Sequence, residues 1–532
     1  MNGDRRHRDR RWPLALFAVA LLAVSVRAGL AALVWGRLPH GFLLNADSAV
    51  YRELALGIAG LEGGAPLTDV FRLSPLATFW GALWHLVAGP SVYAVVVPQI
   101  ALGGATAALV ASAARKVARS AGAGVAAGVL VALCEPLVFY DIAILATSLS
   151  IFLFAVVVRL CLTACERPAL AKSGALGLAA GLLIACRPNA VLFAPVALLL
   201  VAAATRALPA RRRIAHAGAL VLLAILPIVP IAAKNAVGSG AFVPTTASAG
   251  LNLFIGNNQG ATGRLEPTFG ARNAADLFTA FERNATRVAG RELDPAEVSS
   301  FWIEQTCKEI AEDPGRWLGL LARKIVYGVN DFEVPDSWDV QFLETRLPPA
   351  IAALPGFGAL LALGALGLAI TWRGGPPGAR ALHGAVAVAF VTMLVFFVAG
   401  RYRATALPAL AIAAGAGISW LVERIRVARA REPERRGTAA RILVAAAAVA
   451  AVATLAHLPV LDQVPGPNLE RLAAAYQREG RPGEARAAWA AAVEAYRATG
   501  DDRGARRAAL EYERLERVTL KKSLGKSAPP SN

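Results

Sequence analysis

Long apolar runs separated by short polar segments recur from residue 12 to residue 460 of this chain. A helix needs about 20 apolar residues to cross the hydrocarbon layer of a bilayer. On that measure the runs predict about eleven spanning helices, at roughly 12–35, 92–114, 121–139, 144–164, 173–186, 190–204, 214–233, 350–371, 381–399, 404–422 and 440–460. The fifth and sixth are short. The first run follows a basic lead-in, MNGDRRHRDRR, as a signal peptide would, but it is too long and lacks a small-residue cleavage site. It reads as the first span. The run 75–87, about 13 residues long, predicts an interfacial helix instead.

Charge sets the sidedness. With a cytoplasmic amino terminus, the inside loops become 115–119, 167–172, 206–213, 373–380 and 424–441, each rich in Arg or Lys as the positive-inside rule requires. Counting 75–87 as a span would move every one of these loops outside. The long segments 36–91 and 234–349 and the tail from residue 461 then face outward from a bacterial-type cytoplasmic (inner) membrane. The expected organisation is a basic cytoplasmic segment 1–11, an all-α polytopic domain 12–460, a helical module 461–518 and a disordered end 519–532. Composition agrees: 56% of residues are apolar and 17% charged. The net charge of +18 lies in short segments between apolar runs, with no nucleic-acid motif, so it reports topology and excludes nucleic-acid binding. None of the five cysteines has a partner at disulfide or metal spacing.

In the tail, Leu469, Leu472, Ala473, Tyr476, Ala485, Trp489 and Ala492 fall on the spacings of a tetratricopeptide repeat with its turn at 480–483. A further helix at about 501–518 would cover the open side of the hairpin. One repeat is too few to stand alone, so the module is expected to lean on the membrane domain or on a protein partner.

Candidate chemistry concentrates on the outer side. Asp47 precedes a helical pattern in the first outer loop, with Tyr51 one turn later. It reads either as a helix N-cap or as a general base near the membrane surface. Five cations, Arg27, Arg187, Lys234, Arg401 and Arg403, fall toward the outer face, against the charge bias. Singly each fits snorkelling to lipid; together they fit a phosphate site built from several helix ends. The stretch GLNLFIGNNQGATG at 250–263, with Asn252, Asn257 and Asn258, reads as an ordinary loop or as tight turns approaching a ligand, and has no nucleotide-phosphate pattern. Residues 301–338 predict a soluble helix ended by Pro314 and an amphipathic one with Arg316, Arg323 and Lys324 near the surface, framing a site.

Taken in order, DSAVY at Asp47 to Tyr51, SPL at Ser74 to Leu76, RPN at Arg187 to Asn189, GLNLFIGNN, RK at Arg323 and Lys324, and RYR at Arg401 to Arg403 resemble motifs of the GT-C glycosyltransferases. The resemblance is to the branch of protein O-mannosyltransferases and the lipid A aminoarabinose transferase, and covers about residues 12 to 425. It implies a polyprenyl-phosphate-linked hexose or pentose as donor, a protein, lipid or polysaccharide hydroxyl as acceptor, and inverting transfer with Asp47 as base. It implies a cation cluster for the phosphate, a Tyr51 that orients helix or sugar, and an Asp141 that adds a polar contact or a cap. Two positions depart from the pattern. The acid that often follows the catalytic Asp is Ser48, and the basic residue before the proline motif is Leu73, with Arg72 one place earlier. No cofactor is called for, and the missing acid leaves a divalent metal open. A transporter or flippase and an inactive scaffold are the competing readings. The lack of an inverted repeat weighs against the first, and the intact Asp47 against the second.

Overall fold

The computed structural model describes residues 2–67, 70–266, 268–269, 274–429 and 435–526. Residues 430–434 of the expected basic loop 424–441, and 527–532 of the expected disordered end, lie outside the described residues. The described chain is all helical apart from one isolated bridge, Arg264 to Val398. Seven described helices are long and apolar enough to cross a membrane: Arg11–Arg37, Tyr93–Ala118, Thr147–Glu166, Phe357–Gly374, Pro377–Val395, Leu407–Arg429 and Thr438–Ala456. The pair Ala210–Ile225 and Val229–Ser239 makes an eighth candidate, bent by 42° between Pro227 and Pro230, each of which removes a backbone donor. The other expected spans are shorter apolar helices, Ala121–Leu133, Leu170–Cys186 and Pro188–Ala204.

Three expected boundaries move for local reasons. The run 121–139 stops at Leu133 and restarts as Glu135–Tyr140, because Pro136 cannot continue the ladder. The run 350–371 becomes helical only at Phe357, after Pro355 and Gly356. The run 381–399 ends at Val395. The stretch 75–87 forms Pro75–Ala88, with Pro75 at the first helical position and Ser74 Oγ accepting from Ala77 N at 3.2 Å. It buries Ala77, Thr78, Gly81, Ala82 and His85 on one face and exposes Phe79, Leu83, Leu86 and Val87 on the other.

Lipid gives helices little hydrophobic reason to associate, so close packing of small residues carries the bundle. Phe357–Gly374 lies on Leu407–Arg429 at Gly367, where an added Cβ would sit 1.7 Å from the Ala413 carbonyl oxygen. Arg27 is fully buried in the same bundle. Its Nε donates to Asp141 Oδ2 at 2.6 Å, and its other nitrogens reach the carbonyls of Ala23, Val131 and Ala132. The last two lie where the helix at Leu133 ends and leaves acceptors unpaired.

The tail forms three helices, Pro465–Arg478, Pro482–Ala498 and Asp502–Lys526. The first two turn at Gly480, whose φ of 72° is left-handed. Leu469, Leu472, Ala473, Ala485, Trp489 and Ala492 are buried, with Tyr476 packed partly against them. The third helix runs to Lys526, so 519–526, expected to be disordered, is helical. The tail leans on the membrane domain: Pro465–Arg478 packs on His40–Leu43, and Asn468 Nδ2 donates to Asp339 Oδ2 at 2.6 Å. It therefore shares a face with both long loops. In a chain with Cys307→Ser, cysteines introduced at exposed Glu62 and Gln477 should react together with an impermeant maleimide in intact cells, while one at Arg206 stays unlabelled. Labelling of position 62 without position 477 would contradict this packing.

Candidate functional site

The first long loop enters the helix Ala46–Ile58 through Asn45, which occupies the N-cap position with extended backbone. Asp47 is therefore not the cap, and that expectation is corrected. Its carboxylate turns away from the helix end toward Arg401, whose Nη1 meets Asp47 Oδ2 at 2.5 Å. Ala46 holds a left-handed φ of 45° to make this entry, a strain of about 1–2 kcal/mol for a residue with a Cβ. Arg401 lies on the short helix Gly400–Ala404, in the link between two spans. Its Nε lies in ion-pair contact with Asp336 Oδ2 of the second long loop, without hydrogen-bond alignment. Burial pushes the Asp336 carboxyl up, against the pull of Arg401.

The ion pair borders a cavity of ≈ 340 Å³. Its polar wall includes Asp47, Tyr51, Arg72, Ser74, Thr147, Arg187, Asn189, Thr245, Ser248, Asn252, Arg401 and Tyr402; its apolar wall includes Val191, Leu192, Val395 and Phe396. Val191 and Leu192 are also exposed on the outside of the bundle, at 51% and 37%, so the cavity adjoins an exposed apolar face. Arg187 reaches it because Pro188 ends the helix Leu170–Cys186 and forces an extended backbone on the residue before it. The Arg187 guanidinium lies 5.4 Å from the Tyr402 ring centroid and donates from Nη2 to Thr147 Oγ1 at 3.3 Å. Its buried Nε has no hydrogen-bond partner among the described residues. Arg72 bonds Glu282 Oε1 at 2.5 Å and so bridges the first and second long loops.

Tyr51 lies one turn along from Asp47 and is buried. Its hydroxyl oxygen accepts from Ser74 N at 3.1 Å, fixing the start of the helix Pro75–Ala88. Burial first, and the Asp47 charge second, push its pKa up, so it remains a phenol.

The structure thus gathers Asp47, Tyr51, Arg187, Arg401 and Asn252 around one cavity and leaves the other candidates out. Arg27 and Asp141 neutralise each other inside the bundle, and neither lines the cavity. Arg403 is buried against Glu333 Oε2 at 2.7 Å and the Phe332 carbonyl, and covers the Phe357 ring at 4.3 Å. Lys234 sits 4.8 Å from the Phe71 ring centroid, outside the lining. The expected glycine-rich turns at 250–263 begin instead with the helix Ala249–Asn257. Gly250 and Gly256 serve helix packing there: a Cβ on them would lie 2.0 Å from the Ser299 oxygen and 1.8 Å from the Phe396 oxygen. Asn258 bonds its own turn through the Phe254 carbonyl and Gly260 N.

Asn257 belongs to a buried node around Lys324, which the sequence placed near the surface. Lys324 Nζ donates to Asn257 Oδ1 at 2.9 Å and to the carbonyls of Leu394 and Phe396 at 2.9 and 2.6 Å. Those carbonyls lie at the end of the helix Arg380–Val395. Burial draws the ammonium down to about 7, but three acceptors match the three donors that only the charged form carries. The node fixes the edge of the cavity formed by Val395 and Phe396. Asp336, Tyr402 and the cavity position of Arg72 were missed as site features. Asp336 lies in an acid-rich loop with Asp331, Glu333 and Asp339, and no spacing in sequence singles it out. Among the described residues no group of His, Cys, Asp and Glu has a metal-binding arrangement.

No protein-family model matches this chain, and no curated protein matches it in sequence. Among solved structures, the crystal structure of ArnT from Cupriavidus metallidurans bound to undecaprenyl phosphate aligns with 80% of this chain and 81% of its own, at 16% identity and a TM-score of 0.34.

The two classes of cation predict different phenotypes. Arg27→Ala and Arg403→Ala each leave a buried carboxylate unpaired and should cost about 3–5 kcal/mol, seen as a lowered thermal midpoint of the detergent-purified protein. Arg187→Ala removes a half-buried cavity group and should leave the midpoint near wild type. Equal midpoints for all three would contradict the division.

Proposed function

We propose that the chain is a membrane glycosyltransferase that moves a sugar from a polyprenyl-phosphate donor to a hydroxyl acceptor on the extracytoplasmic face. The observation that carries this reading is that an arginine-held carboxylate, Asp47, and the side chain of Arg187 line one cavity beside the exposed apolar side chains Val191 and Leu192. A soluble substrate would not need the apolar exit at Val191 and Leu192; a lipid-linked one would. The order of the sequence motifs adds the GT-C resemblance to this geometry.

In the reaction, the donor phosphate lies against Arg187 and Arg401, and its polyprenyl chain leaves past Val191 and Leu192. Asp47 takes the proton from the acceptor hydroxyl as that oxygen attacks the anomeric carbon. The bond from the anomeric carbon to the phosphate oxygen breaks, and the bonding pair leaves with the polyprenyl phosphate. The guanidinium groups stabilise the charge that develops on the leaving oxygen, where fixed cations in a partly dry site act most strongly. Attack opposite the leaving group inverts the anomeric configuration. Tyr51 and Ser74 hold the interfacial helix beside the reacting centre, and Asn252 offers an amide to the sugar. The tail, resting on the same loops, faces the acceptor side.

In membranes supplied with a labelled polyprenyl-phosphate sugar, Asp47→Asn should reduce transfer about 100-fold or more at unchanged expression, the usual scale for losing a general base. Arg187→Ala should raise the donor concentration needed for half-maximal rate about tenfold, as for a lost charged contact. Undiminished transfer by Asp47→Asn would overturn the mechanism.

A further inference from the structure

We infer that Asp336 is a positioning residue for Asp47: by occupying the Nε edge of Arg401, it confines Asp47 to a one-oxygen contact and leaves its second oxygen free for the acceptor hydroxyl. The inference rests on the transferase reading for its consequence, though not for its geometry.

Arginine commonly grips a carboxylate with two parallel N–H groups, one to each oxygen. Such a grip on Asp47 would occupy both its oxygens and stabilise its charged form, the opposite of what a base requires. Here the fork is divided. Nη1 of Arg401 donates to Asp47 Oδ2, while Nε lies in ion-pair contact with Asp336 Oδ2 without hydrogen-bond alignment. The side chain of Asp336 is only 1% exposed, so this second carboxylate is a built part of the interior. It is also fixed relative to Asp47. Two residues on, Trp338 Nε1 donates to Ser48 Oγ at 3.2 Å, tying the Asp336 segment to the helix that carries Asp47. On the far side, Asp339 Oδ1 accepts from Phe342 N and its Oδ2 from Asn468 of the tail. Ser48, where the resemblance has a second acid, thus holds the loop that delivers a carboxylate from elsewhere in the chain.

The charged and titratable groups facing Asp47 are Arg401, Asp336, Tyr51, Arg187, Tyr402 and Arg72. Two carboxylates on one guanidinium leave Asp47 less neutralised than a private pair would. Without the Asp336 charge, Arg401 is free to close on both oxygens of Asp47.

The test uses full-length Asp336→Asn and Asp336→Glu beside Asp47→Asn, in detergent-purified protein. In transfer assays, Asp336→Asn should lower kcat about tenfold and move the acid limb of the rate profile about one unit lower, with donor KM within about twofold of wild type. Asp336→Glu, which keeps the charge, should recover most of both. An unchanged acid limb and kcat in Asp336→Asn, or a defect confined to donor KM, would overturn the inference. If Asp336→Asn does not fold, Asp336→Glu alone must still show a smaller shift of the same sign, and an unshifted limb there counts against it. A carbonyl infrared titration, with the Asp47 band assigned by subtracting Asp47→Asn, separates this inference from the reaction. A lower Asp47 midpoint in Asp336→Asn supports the geometry even if no sugar is transferred, and an unmoved midpoint refutes it even if sugar is.

Discussion

Arg401 held between Asp47 and Asp336 is the contact on which the rest of the site depends. It joins three parts of the chain that are far apart in sequence: the first long loop, the second long loop and the link between two apolar helices. A guanidinium with little exposure needs charged partners, and two buried carboxylates need a shared cation. Each member therefore fixes the others. The cavity exists because this knot holds the short helix Gly400–Ala404 and the strained entry at Ala46 against the same space. Tyr51 and Arg72 extend the join, one to the helix Pro75–Ala88 through Ser74 and one to the second loop through Glu282.

The buried cations divide according to what meets them. Arg27, Arg403 and Lys324 each take backbone carbonyls as well as side-chain partners. For Arg27 and Lys324 those carbonyls lie where helices end. Irregular backbone at depth is tolerated only when its polar groups find partners, and these side chains supply them. Arg187 and Arg401 differ. They line an open cavity and donate to side chains, Thr147 for Arg187 and Asp47 for Arg401. That distinction separates the cations that brace the bundle from those that line the cavity.

It also explains how far the sequence could be read. Apolar runs and basic loops made the helical blocks legible, because span length and loop charge are one-dimensional properties. Asp47, Tyr51, Arg187 and Arg401 stood out as polar residues in apolar or outer-loop contexts, and all four reach the cavity. Arg27 and Asp141 carried the same signal, yet they cancel each other across 114 positions, a pairing no local spacing encodes. Asp336 was hidden for the opposite reason, as one acid among several in a polar loop. The glycines at 250 and 256 were read as turn formers, but in a crowded bundle the absence of a Cβ serves helix contact equally well.

The tail completes the architecture without entering the cavity. Its Asn468 grips Asp339, three residues beyond Asp336, so the loop that steadies Arg401 is itself braced from the carboxyl-terminal side. The central claim is that a lipid-linked phosphate occupies the cavity beside this knot. Photo-crosslinking with a diazirine-bearing polyprenyl phosphate, followed by peptide mass spectrometry, tests it most directly. The account predicts label on residues 186–192 and 395–402, competed by unlabelled polyprenyl phosphate. Label confined to the outer surface of the bundle, or insensitive to competition, would contradict it.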